Sequence, residues 1–132
     1  MVERIRSTVL VVDNDSEFLE EVTEALNGSG YATVAVNDPM IAMKEVERSK
    51  PDVVLLDLQM PGKSGLEVGY EMRRRPQFAR VPILAMSGVF PDTDIPFPGV
   101  WGVRQCLKKP FYPPELFRAI EEALEGQTAP RN

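Results

Sequence analysis

Three stretches of this chain are apolar without interruption and end on a polar side chain. Val9-Leu10-Val11-Val12 runs into Asp13, Val53-Val54-Leu55-Leu56 into Asp57, and Val81-Pro82-Ile83-Leu84-Ala85-Met86 into Ser87. A strand with one face in water alternates apolar and polar residues, whereas an unbroken run must be covered on both faces. The runs therefore predict strands of a parallel sheet enclosed between two layers of helix. Helical periods fall between them, as that architecture demands. Phe18, Leu19, Val22, Ala25 and Leu26 form one stripe, with Asp15 or Ser16 as its N-cap and Gly28 or Gly30 as its stop. Asp38-Pro39 pairs a cap with a first-turn proline and opens a second helix carrying Ile41, Ala42 and Val46 inward. A third begins near Gly65 and runs through Leu66, Val68 and Met72 to Arg75, before Pro76. The last covers Pro113 to about Glu125, with Leu116, Phe117, Ile120 and Leu124 inward.

Strands alternating with helices over short connections give βαβ units, right-handed crossovers and one parallel sheet. We expect strands at 8–13, 32–37, 52–57, 82–87 and 103–108. The stretch from Phe90 to Gly102 breaks the rhythm, because Pro91, Pro96, Pro98, Gly99 and Gly102 oppose a regular helix there. Val89, Phe90, Ile95, Phe97, Val100 and Trp101 are expected to pack on the sheet instead. The 132 residues fit one domain, 1–125, with 126–132 as a flexible tail.

Composition narrows the chemistry. There is no histidine and a single cysteine, which excludes zinc sites, histidine-based triads and an internal disulfide. Fifteen basic against twenty acidic residues leave a net charge of −5, a poor match for direct binding to nucleic acid. No apolar run reaches the roughly 20 residues that span a bilayer, and Met1–Ser7 lacks a signal-peptide core. A cytoplasmic protein without a membrane role is expected.

In an open α/β sheet, ligands bind beyond the carboxyl ends of the strands, where the winding reverses. The first strand ends in Asp13-Asn14-Asp15, the third in Asp57, the fourth in Ser87 and the fifth in Lys108-Lys109, so these groups share one rim. Carboxylates and amide carbonyls are hard oxygen ligands of the kind magnesium (Mg2+) takes. Lysine supplies a point charge for phosphate oxygens, and a serine hydroxyl can donate to one. A carboxylate nucleophile, a divalent cation, a lysine and a hydroxyl together describe a phosphoryl-transfer site.

At these residues the chain resembles the receiver domains of two-component response regulators. Val-Val-Asp-Asn-Asp at 11–15, Leu-Leu-Asp-Leu-Gln-Met-Pro-Gly at 55–62, Ser87-Gly88 and Lys109-Pro110-Phe111 carry the match, which spans Thr8 to about Glu125. The resemblance implies a flavodoxin-like, doubly wound five-stranded sheet of order 2-1-3-4-5, with the fourth helix degenerate here. It implies that Asp57 accepts a phosphoryl group from the phosphohistidine of a histidine kinase or histidine phosphotransfer protein. Asp13 would organise magnesium through water, and Gln59 would offer its backbone carbonyl. Ser87 would be the switch hydroxyl, and Lys109 would pair with the phosphoryl group beside a cis Lys109–Pro110 bond. Output would pass by docking to a downstream protein target. Such a domain helps catalyse both gain and loss of phosphate, so calling it an enzyme is a matter of definition; it is no conventional turnover catalyst.

The chain departs from the family pattern in three places. Asn14 stands where a second acid is usual, which keeps an amide ligand but removes a charge. Cys106 occupies the strand-five position where an aromatic commonly serves as a relay, and Phe90–Gly102 replaces a regular fourth helix. Blander roles also fit several of these residues. Asp57 could cap a turn before Pro61-Gly62, Cys106 fill a small buried space, and Arg73-Arg74-Arg75 form the cationic end of a helix. A pseudo-receiver that binds partners without phosphorylation is the main rival. A phosphohydrolase resembling the haloacid dehalogenase family would want an acid at Gln59, and a flavin binder would want a Ser/Thr/Gly-rich phosphate loop after strand one.

Overall fold

The computed structural model describes residues 6–88 and 103–128. Five strands, β1 (Thr8–Val12), β2 (Ala32–Val36), β3 (Val53–Asp57), β4 (Ile83–Ser87) and β5 (Val103–Lys108), form one parallel sheet in the order β2-β1-β3-β4-β5. The α-helices among the described residues are α1 (Ser16–Gly28), α2 (Ala42–Ser49), α3 (Gly65–Arg73) and α4 (Pro113–Thr128). The sheet divides its own residues between two cores. Leu10, Val12, Val54, Leu56, Ile83 and Ala85 face α2 and α3, packing on Val46, Val68 and Met72. Val9, Val11, Val53, Leu55, Leu84 and Met86 face α1 and α4, packing on Val22, Leu26, Leu116 and Ile120. Successive strand residues point to opposite faces, so covering both faces is what makes the runs read as unbroken hydrophobe.

Local chemistry sets the helix ends. Asp15 caps α1, accepting from the backbone N–H groups of Glu17 (3.1 Å) and Phe18 (3.2 Å). The helix ends at Gly28, and Gly30 takes φ +93°, a conformation that suits glycine. Ser64 and Glu67 form a reciprocal capping box at the start of α3, an arrangement in which the cap contributes about 1 kcal/mol.

Three expectations need correction. Asp38-Pro39 does open a helical segment, with Asp38 accepting from the Met40 N–H at 2.9 Å. That segment begins as a 3-10 turn over Pro39–Ile41 before α2 starts at Ala42. Three residues per turn instead of 3.6 rotates the inward stripe, so Ile41 is left exposed while Met43 is buried. The last helix also continues three residues past Glu125, to Thr128. The expectation for Phe90–Gly102, with Val89, Ile95, Phe97, Val100 and Trp101, falls outside the described residues. The third helix stops at Arg73, two residues short of the expected Arg75, because Arg75 precedes Pro76 and takes an extended conformation. Arg73 donates to the carbonyls of Phe78 (2.9 Å) and Val81 (2.7 Å), while Arg75 pairs with Glu47, so these cations serve the fold locally. Cys106 is half-buried against the α2–α3 core. No described helix is long and apolar enough to cross a membrane.

Candidate functional site

Register explains why distant acids meet. Val12 of β1 lies opposite Leu56 of β3, so the next residues along the two neighbouring strands are Asp13 and Asp57. Asp57 is in turn opposite Met86, and Ser87 opposite Lys108, which brings Ser87 and Lys109 to the same carboxyl rim. All four strand-end positions reach the edge where the winding reverses between β1 and β3.

Asp13, Asp57 and Ser87 are the polar residues buried among the described ones, at 1%, 5% and 1% exposure. Buried carboxylates need partners. Asp13 Oδ1 accepts from the Asp15 N–H at 2.9 Å, and Asp57 Oδ1 accepts from the Gln59 N–H at 3.0 Å. Lys109 enters between them. Its ammonium is ion-paired with Asp13 Oδ2, lies 3.7 Å from Asp57 Oδ2, and stands 4.1 Å over the centre of the Phe18 ring. The Lys109 N–H donates to the Ser87 carbonyl at 2.7 Å, and the Lys109–Pro110 peptide is cis. Phe111 meets Phe18 edge-on, with ring centres 5.8 Å apart.

Burial pushes the Asp57 carboxyl above its ordinary value, and the neighbouring Asp13 carboxylate adds to the rise; the Gln59 N–H and Lys109 oppose it. Desolvation and a like charge thus outweigh an adjacent ammonium. The site holds more negative charge than its protein cation neutralises.

That excess fits a cation. The carboxylates of Asp13 and Asp57, the amide of Asn14 and the backbone carbonyl of Gln59 are all hard oxygen donors of the kind magnesium prefers. Asn14 and Gln59 lie in the loops leaving β1 and β3, and both are exposed. No cluster of three or more histidine, cysteine, aspartate or glutamate side chains able to hold a metal occurs among the described residues. With Asn14 beside Asp13, the rim offers two carboxylates. Asp15, the other nearby acid, is committed to capping α1.

The rim therefore gathers Asp13, Asp57, Lys109 and Ser87 as the strand ends suggested. Two further residues escaped sequence reasoning. Gly65 opens α3 directly against the Asp57 backbone: a Cβ there would lie 2.3 Å from the Asp57 carbonyl oxygen. Phe18 reads in sequence as one more member of the α1 apolar stripe, and nothing in that pattern signals a ring set under an ammonium. The glycine at the helix start was visible, but its close approach to β3 was not.

A doubly wound parallel sheet with two buried acids and a lysine on its carboxyl rim defines a class, and comparison with known proteins agrees. The chain belongs to the response regulator receiver domain family, whose model matches residues 9–121. It is similar to the DNA-binding response regulator MtrA of Mycobacterium tuberculosis, 32% identical over 123 residues that cover 93% of this chain and 53% of that protein. The phosphate regulon transcriptional regulatory protein PhoB of Pseudomonas aeruginosa is 28% identical over 121 residues, covering 91% of this chain and 52% of PhoB. The chain spans about half the length of these curated relatives. Among solved structures, the chemotaxis response regulator CheY4 of Vibrio cholerae superposes with a TM-score of 0.84 at 25% identity, over 91% of this chain and 100% of that one. A sensor protein from Polaromonas sp. JS666 shares the fold, with a TM-score of 0.85 at 19% identity over 94% of this chain and 100% of that one.

Proposed function

We propose that this receiver takes a phosphoryl group onto Asp57 from the phosphohistidine of a histidine kinase or histidine phosphotransfer protein, and signals by docking to a protein target. The observation that carries this reading is the meeting of Asp13, Asp57 and Lys109 at one edge of the sheet. An Asp57 carboxylate oxygen attacks phosphorus, the phosphorus–nitrogen bond breaks, and the imidazole leaves with the electron pair and takes up a proton. Gln59 holds the other end of the carboxylate through its N–H, which orients the attacking oxygen. Lys109, anchored by Asp13, supplies positive charge for the phosphoryl oxygens, and the Ser87 hydroxyl donates to one of them. Asp13 and Asp57, with the Asn14 amide and the Gln59 carbonyl, would hold magnesium, which when bound supplies charge neutralisation for the incoming group.

Asn14 favours one alternative, a pseudo-receiver that binds its partner without phosphorylation, because the rim has one charge fewer than the family pattern. One experiment separates the two. Incubation with a small phosphodonor and magnesium should add one phosphoryl mass to the wild type and none to Asp57→Ala; a wild type that gains no mass supports the pseudo-receiver. The net charge of −5 favours a protein target over direct contact with nucleic acid, and a cytoplasmic setting fits that partner class. We propose that the receiver unit extends to the end of α4 at Thr128.

A further inference from the structure

We propose that Phe18 is a positioning residue for Lys109, holding its ammonium at the height of the Asp57 carboxylate through the face of its ring. This rests on the phosphoacceptor reading above and adds a specific part to it. The ammonium stands 4.1 Å over the ring centre, within the range where the negative face of an aromatic attracts a cation. The ring is half-buried, which weakens competition from water, and Phe111 braces it edge-on at 5.8 Å. It is also tied to the acid side of the site. Asp13 accepts from the Asp15 N–H, and Asp15 accepts from the Phe18 N–H, so one short segment presents both the carboxylate and the ring to the same ammonium.

A lysine is a flexible chain with rotatable donors, and an ion pair to Asp13 alone leaves it free to swing about that carboxylate. A ring face adds a second, differently directed attraction. It narrows the ammonium to positions near Asp57, 3.7 Å away, where phosphoryl oxygens must be met. Leucine would keep most of the packing against the α1–α4 core but has no such face. Tyrosine would keep it.

The test compares Phe18→Leu with Phe18→Tyr in the full chain, following phosphoryl mass gained from a small phosphodonor with magnesium. Phe18→Leu should label roughly three- to thirtyfold more slowly, the span that cation–π attractions cover. Phe18→Tyr should stay within about twofold of wild type. In a Lys109→Ala background the leucine substitution should add no further loss, since its partner is gone. Equal rates for wild type and Phe18→Leu, equal losses in both variants, or the same loss with Lys109 absent would overturn the proposal. Should the wild type take up no phosphoryl group, the functional reading falls instead. The ring–lysine contact is then read from the Lys109 ε-methylene proton shifts, which should move downfield in Phe18→Leu and hold in Phe18→Tyr. Unmoved shifts in Phe18→Leu would refute it there too.

Discussion

Replacing Gly65 by alanine asks the site for the one thing it has no room to give. The new methyl would sit 2.3 Å from the Asp57 carbonyl oxygen, 2.9 Å from its carbonyl carbon and 3.3 Å from Leu56 Cβ. Ordinary van der Waals contact begins near 3.4 Å, and the obstructing atoms are backbone, so α3 and the end of β3 must separate by about 1 Å. Overpacking of this kind costs about 1–3 kcal/mol. Gly65 is the first residue of α3, where alanine's interior helix propensity returns little, so the net loss stays at about 1–3 kcal/mol. For a chain of this size the loss lowers Tm by several degrees without abolishing the fold. The effect on chemistry should be far larger, because a 1 Å misplacement of a reacting group can cost about a hundredfold. Gly69→Ala is the internal control. Its Cβ would meet only the Cδ1 atoms of Ile83 and Leu56, at 3.6 and 3.7 Å, so the same substitution one turn later should be tolerated. Measuring Tm and the rate of phosphoryl mass gain for both variants checks the argument. If Gly65→Ala melts and labels like Gly69→Ala, the tight contact does not position Asp57 and the reasoning is wrong.

Lys109→Ala leaves the buried Asp13 and Asp57 carboxylates without their shared cation, so it should lower Tm in magnesium-free buffer and slow phosphotransfer together. Unchanged labelling would remove Lys109 from the mechanism. Asn14→Asp restores a charge at the exposed position beside Asp13, and magnesium should bind roughly tenfold tighter by titration calorimetry, since a carboxylate near a divalent ion gains on the order of 1–2 kcal/mol even in water. Equal or weaker affinity would reject the charge argument. Burial raises the Asp57 carboxyl above its ordinary 3.8, so the unfolded chain ionises first as pH rises. Between 3.8 and the raised folded value the native state therefore loses stability, and above that value the loss is complete. Asp57→Asn escapes this, and without magnesium its Tm advantage over wild type should grow as pH climbs from about 3 and then level off. An advantage that shrinks over that range would show that Lys109, not burial, dominates.

The fold was legible because its signals are local. Unbroken runs such as Val53–Leu56 announce strands covered on both faces, and Asp15 and Gly28 mark the ends of α1 through hydrogen bonds and backbone freedom that a few residues determine. Where a local rule has two outcomes, neighbouring residues alone do not choose between them. Asp38-Pro39 starts either an α-helix or a 3-10 turn, and the turn that forms rotates Ile41 out and Met43 in. The strand-end polar residues named the rim because parallel strands place all their carboxyl ends on one side.

By itself, then, the chain's order of residues determined which side chains reach that rim and what chemistry they offer. Tertiary structure alone decided which of them touch. The Val12–Leu56 register sets Asp13 beside Asp57, the crossing of β5 delivers Lys109 between them, and the packing of α1 slides Phe18 beneath its ammonium. The physical reason is range. Propensity and capping act over a handful of residues, whereas a pair 96 positions apart meets only after the sheet is assembled.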